Sequence, residues 1–426
     1  MDPSDKLPLA LYIHLPWCIR KCPYCDFNSH EIQGGSFPER EYVEAVVRDL
    51  KFSAGLLQER ELVSVFLGGG TPSVMSARSI GSILEAADAV SGLFADTEIT
   101  LEANPGTADS RRFAGYRSLG VNRLSIGAQS FSDVKLAAIG RIHDGNEAQS
   151  AVATAAGAGF SNINIDLMYG LPGQTTEDAL SDLAVALSLE PAHISWYQLT
   201  IEPNTVFHAK PPPLPDDDLI WQMQSCGAEY LVRQGYRQYE VSAWSRQGNE
   251  CRHNLNYWEF GDYTGVGAGA HSKITTGTTT PATTARSSAN QERATDFLSA
   301  RTTTSAATTK SSQLMVTRQS RLRVPASYIR HAGTDSVVSE HKALSKEDCI
   351  LEFMLNALRL KNGVPQAYFS QRTGLSLAAI GEQVAAAKDD GLLEIEPGLI
   401  KATAKGARYL NDLLQYFMPD EPSCSV

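Results

Sequence analysis

Six short runs rich in β-branched and other apolar residues alternate with amphipathic helical patterns between residue 9 and about residue 234. The strand candidates are Leu9–Leu15, Val63–Leu67, Thr97–Leu101, Asn122–Ile126, Asn162–Leu167 and Ile194–Thr200, each apolar enough to be buried on both faces. Tyr42, Val43, Val46, Val47 and Leu50 form one helical stripe, and Leu219, Met223, Cys226 and Tyr230 another. Pro215 and the Asp216–Asp218 run supply a helix start, with a breaker, an N-cap and negative charge at the positive end of the dipole. Strand–helix units in series predict a parallel sheet. The chemically unusual residues all follow the strands. Cysteines come after the first, Gly68-Gly69-Gly70-Thr71-Pro72 after the second, and Glu102 with Asn104 at the end of the third. Gln129 follows the fourth, and Asp166 lies at the end of the fifth. In a β/α barrel the carboxyl ends of the strands share one mouth, so one pocket accounts for them all. The expected fold is α/β: a partial (β/α)6 TIM-like barrel with a smaller, helical, winged-helix-like C-terminal domain.

The predicted divisions are a core at 1–273, a flexible Thr/Ser-rich insertion at 274–318 and a C-terminal domain at 319–426. The insertion (for example Thr275-Thr276-Gly277-Thr278-Thr279-Thr280) holds too few large apolar residues to offset its ordering entropy. Beyond residue 345 two short helices, two strand-like pieces near Leu393 and Ile400 and a last helix suggest a winged helix. DNA binding does not suit it: residues 345–426 carry eight Lys and Arg against eleven Asp and Glu, and Lys388 is followed by Asp389 and Asp390. A packing or lid role fits better. A net charge of −11 likewise argues against nucleic acid as the main partner. No apolar run is long enough to span a membrane and the N-terminus lacks a signal-peptide pattern, so a cytoplasmic location is expected.

Seven cysteines, three clustered and four scattered, do not make a disulfide framework. Cys18-Ile19-Arg20-Lys21-Cys22-Pro23-Tyr24-Cys25 puts three thiolates on one loop. Iron–sulfur clusters normally take four such ligands, so three leave one iron open, the logic of a reactive metal site. Zinc is the alternative, with His14 or His30 completing the set, although no second Cys or His pair exists. Arg20 and Lys21 are placed to lower the thiolate pKa, and Cys251 is the later cysteine best placed as a fourth ligand.

C-x-x-x-C-x-x-C with an aromatic before its last cysteine resembles the signature of the radical S-adenosylmethionine superfamily. Tyr12-Ile13-His14-Leu15-Pro16-Trp17-Cys18, the Gly68–Pro72 run, Arg123–Ser130, Gly140–His143 and Asn164–Gly173 are similar to the oxygen-independent coproporphyrinogen III oxidase group within it. The resemblance implies a [4Fe-4S] cluster on Cys18, Cys22 and Cys25, with S-adenosylmethionine on the open iron. In that family an electron from the cluster cleaves the sulfonium to a deoxyadenosyl radical. It also implies that Tyr12, Gly69, Glu102, Gln129, Arg141 and Asp166 contact S-adenosylmethionine, with Tyr24, Gly70 and Thr71 beside them. Glycines permit close backbone approach, Glu102 and Asp166 can accept from ammonium or ribose, and Arg141 can fork onto a carboxylate. Without the cysteine loop, a tight turn, a helix cap and surface charge would explain the same residues.

Two oxidase features are missing. The position where the oxidases carry a fourth cysteine is Phe27, and only seventeen residues precede Cys18, where the oxidases have a longer arm. In their place His253-Asn254-Leu255-Asn256-Tyr257-Trp258 is similar to a run in the HemW-type haem chaperones. That resemblance implies His253 as an axial haem ligand with Tyr257 and Trp258 stacked on the porphyrin. The plainer reading is a loop histidine satisfied by hydrogen bonds, the two aromatics being core. The implied partners are haem, an unidentified haem acceptor and an unidentified electron donor.

Overall fold

A computed structural model describes residues 7–57, 60–278, 313–396 and 398–419. Six parallel strands form its centre in chain order: β1 (Leu9–Leu15), β2 (Leu62–Gly69), β3 (Glu98–Ala103), β4 (Arg123–Gln129), β5 (Asn162–Tyr169) and β6 (His193–Gln198). Outside them lie α1 (Glu39–Phe52), α2 (Ala77–Ser91), α3 (Ser110–Ser118), α4 (Gly145–Gly157), α5 (Thr176–Ser188) and α6 (Asp217–Arg233). The caps are local: Asp216 accepts from the Leu219 N–H to start α6, and capping boxes at Asp144 and Thr175 start α4 and α5.

Side chains alternate across each strand. Leu11, Ile13, Val65, Leu67, Leu101, Leu124, Ile165 and Ile194 form one apolar core with Tyr42, Val46, Ile83, Phe113 and Met223 of the helices. The opposite face is polar, with buried His14, Ser64, Glu98, Arg123, Ser125, Asn164 and His193. The strands are therefore buried on both faces, but only one face is apolar. A partial barrel with a polar interior is built to hold polar ligands rather than to close its core.

Twelve strands lie in this sheet among the described residues. Short β7 (Arg237–Gln238) and β8 (Ala243–Ser245) continue antiparallel past β6. At the other edge β9 (Asp262–Val266) runs parallel to β1 and is followed by antiparallel β10 (His271–Thr278), β11 (Gln313–Arg321) and β12 (Val338–Ala343). The Thr-rich stretch expected as an insertion at 274–318 therefore begins and ends as paired strand, and residues 279–312 lie outside the described residues. Its threonines are useful in a strand: Thr275 donates to buried Asp262 through both N–H (2.9 Å) and Oγ1 (2.8 Å), beside Lys273 and Arg60.

Residues 319–343 thus continue the barrel sheet, and the second body begins with the helix Lys346–Ala357. It holds the helices Gln366–Thr373 and Gly381–Asp389 and a three-stranded antiparallel wing of Val364–Pro365, Leu393–Glu396 and Leu399–Ala402. Phe353, Met354, Phe369, Ile400 and Leu413 form its core, which takes in Phe260 of the barrel. Ion pairs Arg359–Glu240 (3.1 Å) and Arg372–Glu259 (3.4 Å) tie the two bodies together. Among the described residues no helix is long and apolar enough to cross a membrane.

Candidate functional site

The cysteine loop leaves β1 and is pinned at its ends where Trp17–Cys18 pairs with His30–Glu31. Each thiol meets a second polar group: Thr71 Oγ1 donates to Cys18 Sγ at 3.5 Å, Arg141 Nη1 donates to Cys22 Sγ at 3.7 Å, and Ser29 Oγ lies 3.8 Å from Cys25 Sγ. Each sulfur thus has a polar neighbour, while among the described residues no three His, Cys, Asp or Glu side chains are gathered closely enough to hold a metal ion. The loop carries Arg141 in by close packing. Gly140 has φ of +72°, and a Cβ there would come within 2.6 Å of Pro23.

The expected electrostatic help from Arg20 and Lys21 does not govern the thiols. Burial pushes the Cys18 thiol up to about 11, only partly offset by Thr71, and pushes Cys25 up despite Ser29 and Lys21. Arg20 is exposed, and the Lys21 ammonium is committed to the carbonyls of Phe27 (3.1 Å) and Ser29 (3.4 Å). Burial thus favours the neutral thiol at Cys18 and Cys25. Zinc through His14 does not fit, because Nε2 donates to the Asn28 carbonyl (2.9 Å) and Nδ1 accepts from the Tyr12 hydroxyl (3.0 Å). Cys226, Cys251 and Cys349 are free thiols elsewhere, and Cys424 lies outside the described residues.

The strand ends converge beside this loop. Gly69 has φ of +116°, and a Cβ on it would sit 2.6 Å from the His14 ring; one on Gly70 would strike Pro16 and Trp17 backbone at 2.7 Å. Only glycine keeps this cradle open. The Gly69 N–H donates to Glu102 (3.0 Å), whose pKa is raised to about 7 by burial and by nearby Asp166. Asp166 is also raised by burial, although Ser125 (3.1 Å) and Asn164 (2.8 Å) donate to it. Gln129 sits at a register shift at the end of β4 with φ of +69° and accepts from the Tyr197 hydroxyl at 2.9 Å. Tyr24 packs on Phe207.

Arg141 is not the free fork expected from sequence. Nη1 goes to Cys22 and Nη2 to the Gly127 carbonyl, which leaves Nε buried without a partner among the described residues. Tyr197 and Ser29 escaped the sequence reading. Tyr197 follows the same strand-end rule on β6, whereas no local signal marks Ser29.

His253 lies elsewhere, on α7 (Arg252–Trp258), and faces the barrel interior. Its N–H donates to Glu98 (3.1 Å), Nδ1 bonds the Ser64 hydroxyl (3.0 Å), and its ring lies 4.8 Å from Phe66 and 6.3 Å from Tyr12. Burial, with Arg123 adding to it, lowers its pKa to about 3, so the imidazole is neutral. The expected aromatic flanks are not there: Tyr257 packs on Tyr263 (4.8 Å), and Trp258 lies under Arg359 (4.3 Å). Cys251 is not near the cysteine loop either. Its buried thiol donates to Glu98 at 3.5 Å, which rules it out as a fourth cluster ligand in this arrangement.

Comparison with known proteins follows the same division. Residues 12–185 match the radical SAM superfamily, and residues 344–409 match the HemN C-terminal domain. The chain is 42% identical over 418 residues to the heme chaperone HemW of Haemophilus influenzae, covering 97% of this chain and 99% of that protein. It is 41% identical to the heme chaperone HemW of Escherichia coli, again over 97% and 99%. The chain belongs to the HemW family. Among solved structures, coproporphyrinogen III oxidase (HemN) from Escherichia coli superposes with a TM-score of 0.75 over 97% of this chain and 90% of that one. At 22% identity that likeness shows the shared fold of HemW-family and HemN chains.

Proposed function

We propose that this chain is a cytoplasmic haem chaperone that binds haem, a [4Fe-4S] cluster and S-adenosylmethionine and passes haem to an acceptor protein. The observation that carries the reading is one barrel holding both a three-thiol loop and an inward, neutral imidazole on His253. Identity to HemW relatives along nearly the whole chain supports it. Cys18, Cys22 and Cys25 would hold the cluster, and Thr71, Arg141 and Ser29 would donate to its thiolates. Gly69 and Gly70 would admit the methionine end of S-adenosylmethionine, with Glu102, Gln129 and Asp166 placed for its polar groups and Tyr12, Tyr24 and Thr71 alongside. When bound, cluster and nucleotide supply an electron and a sulfonium at the barrel mouth, the electron coming from a donor protein. A cation beside Glu102 favours its ionised form, so the site is tuned to bind positive charge near neutral pH.

Ser64 and Glu98 hold His253 inward, so ligating haem there would require α7 to move outward. The rival reading is an oxidative decarboxylase of coproporphyrinogen III. It is disfavoured by Phe27, 63% exposed at the position where the oxidases have a fourth cysteine. Anaerobic incubation with coproporphyrinogen III, S-adenosylmethionine and reductant separates the two, the chaperone reading expecting no protoporphyrinogen. Haem titration is the positive test. Wild type should show a histidine-ligated Soret band that His253→Ala lacks, and an identical band in the variant would remove His253 as ligand.

A further inference from the structure

On the outer side of β6 and β8, away from the lumen, α6 and the winged body enclose a cavity of about 590 Å³. That size falls within the ~300–1,000 Å³ usual for small-molecule sites. Its walls carry Trp196, Trp221, Trp244 and Tyr409. Three cations, Lys361, Lys401 and Arg408, line it with no Asp or Glu, although the chain as a whole carries −11. None of the three has an ion-pair partner among the described residues. The Ser225 hydroxyl in the same wall is buried with no hydrogen-bond partner among the described residues. Arg408 lies on the aromatic wall, its guanidinium 3.9 Å from the Trp221 ring centre and 5.4 Å from that of Tyr409.

We infer that this cleft binds a carboxylate-bearing tetrapyrrole, Trp221 and Tyr409, the two exposed aromatics of its wall, flanking the macrocycle and the cations taking its carboxylates. Flat apolar surface and two anionic groups on one edge are what such a lining selects. Single-stranded nucleic acid also uses aromatics and cations, but it needs an open basic track, and the winged body carries more acidic than basic residues. The site lacks a histidine, so it offers no imidazole to an iron. It is a second position for the cargo, distinct from His253, and the inference rests on the haem-chaperone reading for the identity of that cargo.

The test uses the full-length protein and iron-free protoporphyrin IX, which has no metal to ligate and therefore reports the cleft rather than His253. Tryptophan fluorescence quenching gives the affinity. The double variant Lys401→Glu/Arg408→Glu should weaken binding about tenfold or more, and masking the carboxylates as methyl esters should do the same to wild type. With haem, His253→Ala should remove the axial-ligand signature. Unchanged circular dichroism and iron content would establish that the double variant is folded, and Trp221→Ala offers a second, neutral probe that should also weaken binding. Equal affinity in wild type, the double variant and Trp221→Ala, or displacement of the porphyrin by a short oligonucleotide, would overturn the inference. If haem ligation proves independent of His253 while the cleft variants still lose porphyrin, the His253 assignment fails and the cleft stands.

Discussion

Glu102→Gln should make the protein's stability less sensitive to alkaline pH. In the fold this carboxyl titrates at about 7 against an ordinary value of 4.5, because it is buried and faces Asp166. The unfolded chain releases that proton first, so the native state is progressively penalised as pH rises from 4.5 to 7 and bears the full penalty above that. With those two values, linkage puts the penalty at under ~1 kcal/mol at pH 5 and at about 3 kcal/mol at pH 8, a difference of roughly 2–3 kcal/mol. Glutamine removes the titration and can still accept from the Gly69 N–H. Urea unfolding of wild type and variant at pH 5 and pH 8, without S-adenosylmethionine, gives the double difference, in which any pH-independent packing cost cancels. Relative to wild type the variant should gain roughly 2–3 kcal/mol between the two pH values. A difference between the proteins that does not change with pH would refute the claim that this carboxyl is held protonated by its surroundings.

Gly69→Ala should cost about 2–4 kcal/mol in urea unfolding, from left-handed strain and displacement of the doubly bonded His14 ring; wild-type stability would contradict the cradle. Cys18→Ser, Cys22→Ser and Cys25→Ser should each abolish the cluster's visible absorption after anaerobic reconstitution, whereas Cys251→Ser should retain it, since Cys251 bonds Glu98 in the barrel interior. Asp262→Ala should destabilise by about 3–5 kcal/mol, because it strands buried Lys273 and Arg60 without their counter-charge. A loss under ~1 kcal/mol on calorimetry would mean the triad is not what anchors β9 to β10.

The six central strands were legible because their apolar, β-branched runs obey a local rule; Leu9–Leu15 has the same limits in sequence and structure. The clustering of site residues at one mouth followed from that alternation alone. Strands β9 to β11 were not legible. Gly265 interrupts Asp262–Val266, and Thr-rich β10 is held by the hydrogen bonds of Thr275 to Asp262 rather than by an apolar pattern. The orientation of His253 was also beyond local reading, since Glu98, far earlier in the chain, turns the start of α7 inward. The same holds for Arg141, whose fork is consumed by Cys22 and by a carbonyl on another strand. The aromatic and cationic cleft exists only once the winged body docks, so no single segment announces it.

A cluster held by three sulfurs would leave one iron open for a nucleotide. The direct measurement is electron paramagnetic resonance on anaerobically reconstituted, reduced protein, with iron and sulfide assayed on the same sample. About four iron and four sulfide per chain are expected, together with a spectrum that changes when S-adenosylmethionine is added. Zinc in place of iron, or a spectrum indifferent to the nucleotide, would contradict it.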